Sequence, residues 1–322
     1  QQKVFTSAML LFIITGILSV YAPSLSWLYT WRFFQGVAVG VFPVVTMAII
    51  MELYSGKKLT QIISMSGVVL AITISLSPFV GGWIGNTMGW KGCFWVSSAC
   101  MFCFLILLWG RLSSVCSVKS FSVSEFINHL KILVYSKQLV FYTLIHGICW
   151  STFLTIRSTL SHYCADVFHF TPLDFGQFMS GAMVINAVAG IGLIIFVEKI
   201  KTQRLLDIGL VFIGLSAFVA MGLNYAPTSK TGLLLFLILL NISIPFILNA
   251  SLSLASNQEN IPKGLASSMI VFSRSCIASL CLYVGGVCYN QTLISVTCLY
   301  ICLTLGLICL YFFKKPKNLT HN

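Results

Sequence analysis

Acidic residues are scarce in this chain. It has 7 aspartates and glutamates in 322 residues against 19 lysines and arginines, and charged residues make up only 8% of it. A water-soluble domain carries about 25% charged residues, so the shortage excludes an ordinary soluble globular protein. The seven acids (Glu52, Glu125, Asp166, Asp174, Glu198, Asp207 and Glu259) fall in connections or at the ends of apolar runs. The chain also lacks a His/Cys/Asp/Glu cluster with ligand spacing, a nucleophile elbow and a phosphate-binding glycine loop. An enzyme is therefore not expected, nor a metal or cofactor. No alternating apolar–polar pattern points to a β-barrel, and no ligand domain or signalling segment supports a receptor.

What the chain has in abundance is apolar length. It is 58% hydrophobic with a mean hydropathy of +0.95. Apolar stretches of about 20 residues recur along it, the length needed to cross a bilayer about 30 Å thick as a helix. Ten spans are predicted, at about 4–21, 27–51, 62–86, 93–110, 138–160, 175–197, 205–224, 232–254, 264–287 and 292–313. The expectation is an all-α integral membrane protein in contact with the lipid bilayer.

The net charge of +12 invites a nucleic-acid partner, but the charge distribution argues against one. With the first residues in the cytoplasm, fourteen basic residues fall on the inner side and only Lys91 and Lys230 on the outer side. Arg32, Arg157 and Arg274 lie within spans. That asymmetry is the positive-inside signal, and it puts both ends of the chain in the cytoplasm. The 12 cysteines are scattered, mostly through apolar runs. Cys100 and Cys103 form a C-x-x-C without a second pair nearby, which fits small packing residues better than a zinc or redox centre.

The longest polar interruption, 111–137, separates four spans (1–110) from six (138–322). Phe121, Phe126, Ile127, Leu130 and Leu133 give it the pattern of an amphipathic surface helix. The two parts echo each other at an offset of 204 residues. Phe79-Val80-Gly81-Gly82 matches Tyr283-Val284-Gly285-Gly286, and Ser64-Met65 matches Ser268-Met269. Parallel repeats of six helices each follow from this, with the first repeat short by two. The expectation is that two N-terminal helices are absent from this sequence.

Several in-membrane residues stand out. Arg32 sits inside the run 27–51, where an ionised side chain costs about 2.5–3.5 kcal/mol unless it faces a cavity or a partner. Gln35, Gly36 and Gly40 follow it at helical spacing and make a small, polar face. Pro78, Gly81, Gly82 and Gly85 would bend one span and let another approach closely. His146, Trp150, Phe153 and Arg157 share a helical face that could line a cavity, with His146 a group that titrates near neutral pH. Asn241, Pro245 and Asn249 recur every four residues, and their amides need partners at membrane depth. Arg274 is the deepest charge, and Asn186 is a further polar candidate. No acid can reach Arg32 or Arg274 at mid-membrane by topology.

These motifs resemble the major facilitator superfamily, in particular its drug:proton antiporters with 12 spans and the bicyclomycin-resistance (Bcr/CflA) branch. Arg32-x-x-Gln35-Gly36-x-x-x-Gly40 is similar to the fourth-helix motif of that group. Ser77-Pro78-Phe79-Val80-Gly81-Gly82-Trp83-Ile84-Gly85 is similar to its fifth-helix antiporter motif. Gly89-Trp90-Lys91-Gly92-Cys93-Phe94 is similar to the Gly-Trp-Arg-x-x-Phe before helix six. Met51-Glu52 departs from the usual Arg-Asp. The resemblance implies a monomeric, multi-pass protein of a bacterial inner membrane that exports small hydrophobic compounds, antibiotics among them, driven by a proton gradient. Arg32 would take part in proton coupling, and the glycine motif would control alternating access. A transporter of a defined metabolite, such as a siderophore or amino acid, and a truncated remnant without activity are the alternatives.

Overall fold

The computed structural model describes residues 2–54, 56–108, 136–196, 200–256 and 263–314. Among them the regular elements are nine helices: α1 Gln2–Val20, α2 Leu25–Leu53, α3 Gly56–Leu108, α4 Lys137–Phe168, α5 Pro172–Phe196, α6 Thr202–Leu223, α7 Lys230–Ser256, α8 Lys263–Cys288 and α9 Leu293–Lys314. Valine, isoleucine and phenylalanine are indifferent helix formers in water. In lipid, however, each backbone N–H and C=O must be satisfied within its own segment, and the helix does that. Eight of the nine are long and apolar enough to cross a membrane, and α2 joins them with 29 residues, about 43 Å of helix. Phe33, Leu107, Phe218 and Phe312 are more than half exposed, which suits a surface wetted by acyl chains. The chain is an integral, multi-pass membrane protein.

Two predicted spans, 62–86 and 93–110, share α3. The element is not straight. Gly89 has φ 69° and ψ −178°, a backbone conformation open essentially to glycine alone. The Cys93 thiol reaches the Gly81 carbonyl at 3.8 Å, whereas twelve residues of straight helix would put them about 18 Å apart. The chain therefore doubles back at Gly89, and its two arms account for the two spans. The amphipathic segment expected at 111–137 lies outside the described residues, apart from its last two.

Helix ends are set by local chemistry. At the start of α4 the Ser136 hydroxyl accepts the Leu139 N–H at 3.3 Å. At its end His169 takes the left-handed conformation, and the Phe170 N–H returns to the Cys164 carbonyl at 3.2 Å, a Schellman closure.

The described residues form two compact units. One contains α1, α2 and α3 together with residues 172–176, and the other contains α4, the rest of α5 and α6–α9. The first is built on Met9, Ile13 and Leu105, with Phe5, Ile17, Phe42, Met101 and Leu108 packed around them. In the second, α4 is central. Seventeen of its residues are buried, and it packs against α7, α8 and α9 while α6 packs against α7.

Candidate functional site

Within the first unit, the spacing of three residues brings Arg32 and Gln35 onto one edge of α2. The Arg32 Nη1 donates to Gln35 Oε1 at 2.7 Å, and the guanidinium carbon lies 5.0 Å from the centre of the Phe94 ring. Arg32 is exposed, but the Gln35 amide that accepts from it is buried. A side chain at Gly16 would collide with Ser98 Oγ and approach Gln35 Nε2 to 3.3 Å, so this α1 glycine makes room for the amide and the hydroxyl. Ser98 Oγ is buried without a hydrogen-bond partner among the described residues. The result is a polar notch in an apolar unit, headed by a cation. Around it, Gly36, Gly40 and Gly81 have nothing within 4 Å of an added Cβ, so the small-residue face expected to pack closely stands open among the described residues.

Gly82 and Gly85 lie against another stretch of the chain. A Cβ on Gly82 would collide with the Pro172 carbonyl and lie 3.1 Å from the Gly176 Cα. One on Gly85 would meet Pro172 Cβ at 3.4 Å, and one on Gly176 would collide with the carbonyl of Pro78. The segment 172–176 thus lies backbone to backbone on the Pro78–Gly85 stretch of its own unit.

In the second unit the α4 stripe splits. His146 is 3% exposed and faces α7, where its Nδ1 lies 3.2 Å from the Leu248 carbonyl and 3.1 Å from Ser251 Oγ. Ser251 gives its own hydrogen to that carbonyl at 3.1 Å, so both neighbours act as acceptors and Nδ1 carries the ring hydrogen. Nε2 is then the lone-pair nitrogen. It is buried with no partner among the described residues. Trp150 and Phe153 pack ring to ring at 5.7 Å, with the Arg274 guanidinium 4.8 Å from the Trp150 ring and that of Arg157 5.1 Å from Phe153. Gly147 allows this crossing: its added Cβ would be 3.5 Å from Arg274 Cα and would collide with Ile277.

The amides are brought together only in part. Asn186 Nδ2 donates to the Asn241 carbonyl at 3.1 Å, linking α5 to α7. Asn241 is buried and uses its own Nδ2 on Leu237 at 2.8 Å, which leaves Oδ1 without a partner among the described residues. Asn249 is exposed and bonds back to Pro245 at 2.8 Å. Eight residues of helix overshoot two turns by about 80°, which is why the two asparagines part company.

A further polar chain escapes a reading of the sequence because its members come from three helices. Tyr142 on α4 donates to Gln203 Oε1 on α6 at 3.3 Å, Gln203 Nε2 donates to the Tyr311 hydroxyl on α9 at 2.6 Å, and that hydroxyl donates to Asp207 Oδ1. An aspartate near the start of an apolar span was the signal available. Near the opposite end of α4, Tyr289 donates to Asp166 Oδ2 at 2.7 Å. Burial, and then the hydrogen bond to that carboxylate, push the Tyr289 phenol well above its ordinary range.

Residues 1–285 match the family model of the Major Facilitator Superfamily. The chain belongs to that superfamily. Its backbone is similar to the D-xylose–proton symporter, with a TM-score of 0.75 at 16% identity over 97% of this chain and 80% of the other. A bacterial homologue of the lysosomal transporter Spinster follows with 0.68 at 12% identity, over 98% and 80%. In sequence, this major facilitator is 26% identical over 97 residues to the multidrug transporter protein MdtP of Bacillus subtilis, covering 30% of this chain and 18% of that protein. It is 22% identical to the MFS-type transporter YdgK of the same organism over 84% of this chain and 68% of YdgK. An uncharacterised transporter of Rickettsia bellii is 24% identical over 66% and 53%. These matches span less than a fifth of MdtP and about half to two thirds of the other two.

Proposed function

We propose that this major facilitator is a proton-coupled exporter of small, largely hydrophobic organic compounds, working by alternating access in a bacterial inner membrane. Superfamily membership supports secondary transport, and the stretch similar to a multidrug transporter supports drug-like cargo. The observation that carries the reading is the notch of Arg32, Gln35 and Ser98. A cation costly to place in lipid is held by a buried amide and an aromatic face, which leaves donors for a passing carboxylate, water or solute. His146 supplies a second element, a buried ring nitrogen whose lone pair has no partner among the described residues. In this reading Pro78, Gly81, Gly82 and Gly85 control alternating access.

The test is proton flux. Full-length protein in liposomes with a pH-sensitive dye trapped inside should release protons down an imposed gradient when ethidium is added. Arg32→Ala should abolish the ethidium-dependent flux, while Arg32→Lys keeps part of it. Equal flux in wild type and Arg32→Ala would sink the mechanism. A defined metabolite is the second reading, favoured by the two stacked arginines of the second unit.

A further inference from the structure

Arg274 and Arg157 present a problem of chemistry. A guanidinium lying over a ring satisfies its π face only, and its five N–H donors point outward in its own plane. Stacking and in-plane hydrogen bonding are therefore compatible, and each arginine here has used the first and kept the second. Neither has a hydrogen-bond acceptor recorded among the described residues. α7, α8 and α9 contain no aspartate or glutamate. The two acids described in the second unit are already engaged, Asp166 by Tyr289 and Asp207 by Tyr311.

The aromatic pair adds a second requirement. Trp150 and Arg274 are only half-buried, and the Trp150 ring is backed by the buried Phe153 ring, tilted by 41° with its centre 5.7 Å away. A planar apolar body stacks on such a surface, and its acidic group meets the guanidinium edge. Gly147 fixes the arrangement by holding α8 against α4 at the level of Arg274.

We infer that α4 and α8 build a binding site for an aromatic carboxylate, its carboxylate in the plane of the Arg274 guanidinium and its ring against Trp150. Phe153, itself buried, supports the Trp150 ring from behind, and Arg157 over the Phe153 ring adds positive potential. The inference names a substrate class for the second reading, transport of a defined metabolite, and so rests on that reading for its biological meaning. The site itself lies within one unit and needs no gradient to bind.

Equilibrium binding tests it. Purified full-length protein in a neutral maltoside detergent is titrated calorimetrically with 2-naphthoate and with 2-naphthalenemethanol, the same ring system without the charge. The carboxylate should bind roughly tenfold or more tightly than the alcohol, since a charge-assisted pair in a shielded setting is worth at least that factor. Arg274→Gln should remove that preference, Arg274→Lys should recover it in part, and Trp150→Leu should weaken both ligands alike. Equal binding of acid and alcohol by the wild type would overturn the inference, as would unchanged preference in a monodisperse Arg274→Gln protein. If that variant does not fold, thermal protection of the wild type decides. Protection by 2-naphthoate and not by the alcohol supports the site, whereas protection only by phosphatidylglycerol assigns the arginines to a lipid headgroup and overturns it. Loss of ethidium–proton exchange with 2-naphthoate binding intact would refute the exporter mechanism and leave this site standing.

Discussion

The Gly285-Gly286 pair on α8 offers an internally controlled measurement of packing. An added Cβ on Gly285 would lie 2.7 Å from Thr155 Cγ2, 3.2 Å from Leu299 Cδ2 and 3.4 Å from Thr159 Cγ2. Those groups belong to α4 and α9, so the glycine sits where three helices meet and no single rotamer change clears the space. An added Cβ on Gly286 has nothing within 4 Å. Overpacking by one methyl in such a site costs about 1–3 kcal/mol. Replacing an unhindered helix-interior glycine by alanine gains about 0.8–1.0 kcal/mol. Both positions lie inside the same helix and share that gain, so it cancels, and Gly285→Ala should be less stable than Gly286→Ala by the overpacking cost alone, about 1–3 kcal/mol, roughly five-fold or more in the unfolded fraction. Reversible unfolding of each variant in mixed detergent–SDS micelles, followed by far-UV circular dichroism, gives the difference directly. If Gly286→Ala proves as destabilising as Gly285→Ala, the close packing of α8 on α4 and α9 is wrong as described.

Further outcomes can be checked with the same preparation. Gly89→Ala should cost about 1–3 kcal/mol, because no L-residue rests easily at that φ and ψ, whereas Gly36→Ala, with open space around it, should be tolerated in the same unfolding assay. Gly82→Ala should lower the thermal stability of the detergent-solubilised protein and Gly81→Ala should not, since only the former meets the Pro172 carbonyl. In a double-mutant cycle, Tyr311→Phe and Asp207→Asn should couple by about 1 kcal/mol, and a coupling of zero would mean the hydroxyl and carboxylate do not meet. Gln35→Leu should leave Arg32 with Phe94 alone and reduce ethidium-driven proton flux more than it reduces stability.

The helical layout was legible because apolar length is a one-dimensional property. Each of the ten predicted spans falls on helix over its described residues but for an end residue at Tyr21, Asn224 and Thr292, and Gly89 stands in the very Gly-Trp-Lys-Gly segment that separates two of them. Local site contacts were legible for the same reason, Arg32 with Gln35 at three residues and Trp150 with Phe153 likewise. Contacts between helices were not. His146 reads as a cavity residue on its own helix, and only the approach of Ser251, 105 residues later, shows that its Nδ1 faces α7. The Tyr142–Gln203–Tyr311–Asp207 chain depends on the rotation of α4, α6 and α9 about their axes, which no single span encodes.

The glycine pairs also carry a consequence for how the two repeats can be compared. The sequence offset aligns Gly81 with Gly285 and Gly82 with Gly286, yet the crowded member is Gly82 in one pair and Gly285 in the other. One residue of helix is a rotation of about 100°. The segments matched by that offset therefore turn different sides toward their neighbours, and tolerance measured at one position does not transfer to its counterpart. A chimera exchanging 64–86 with 268–290 would keep the motif letters and lose the fit.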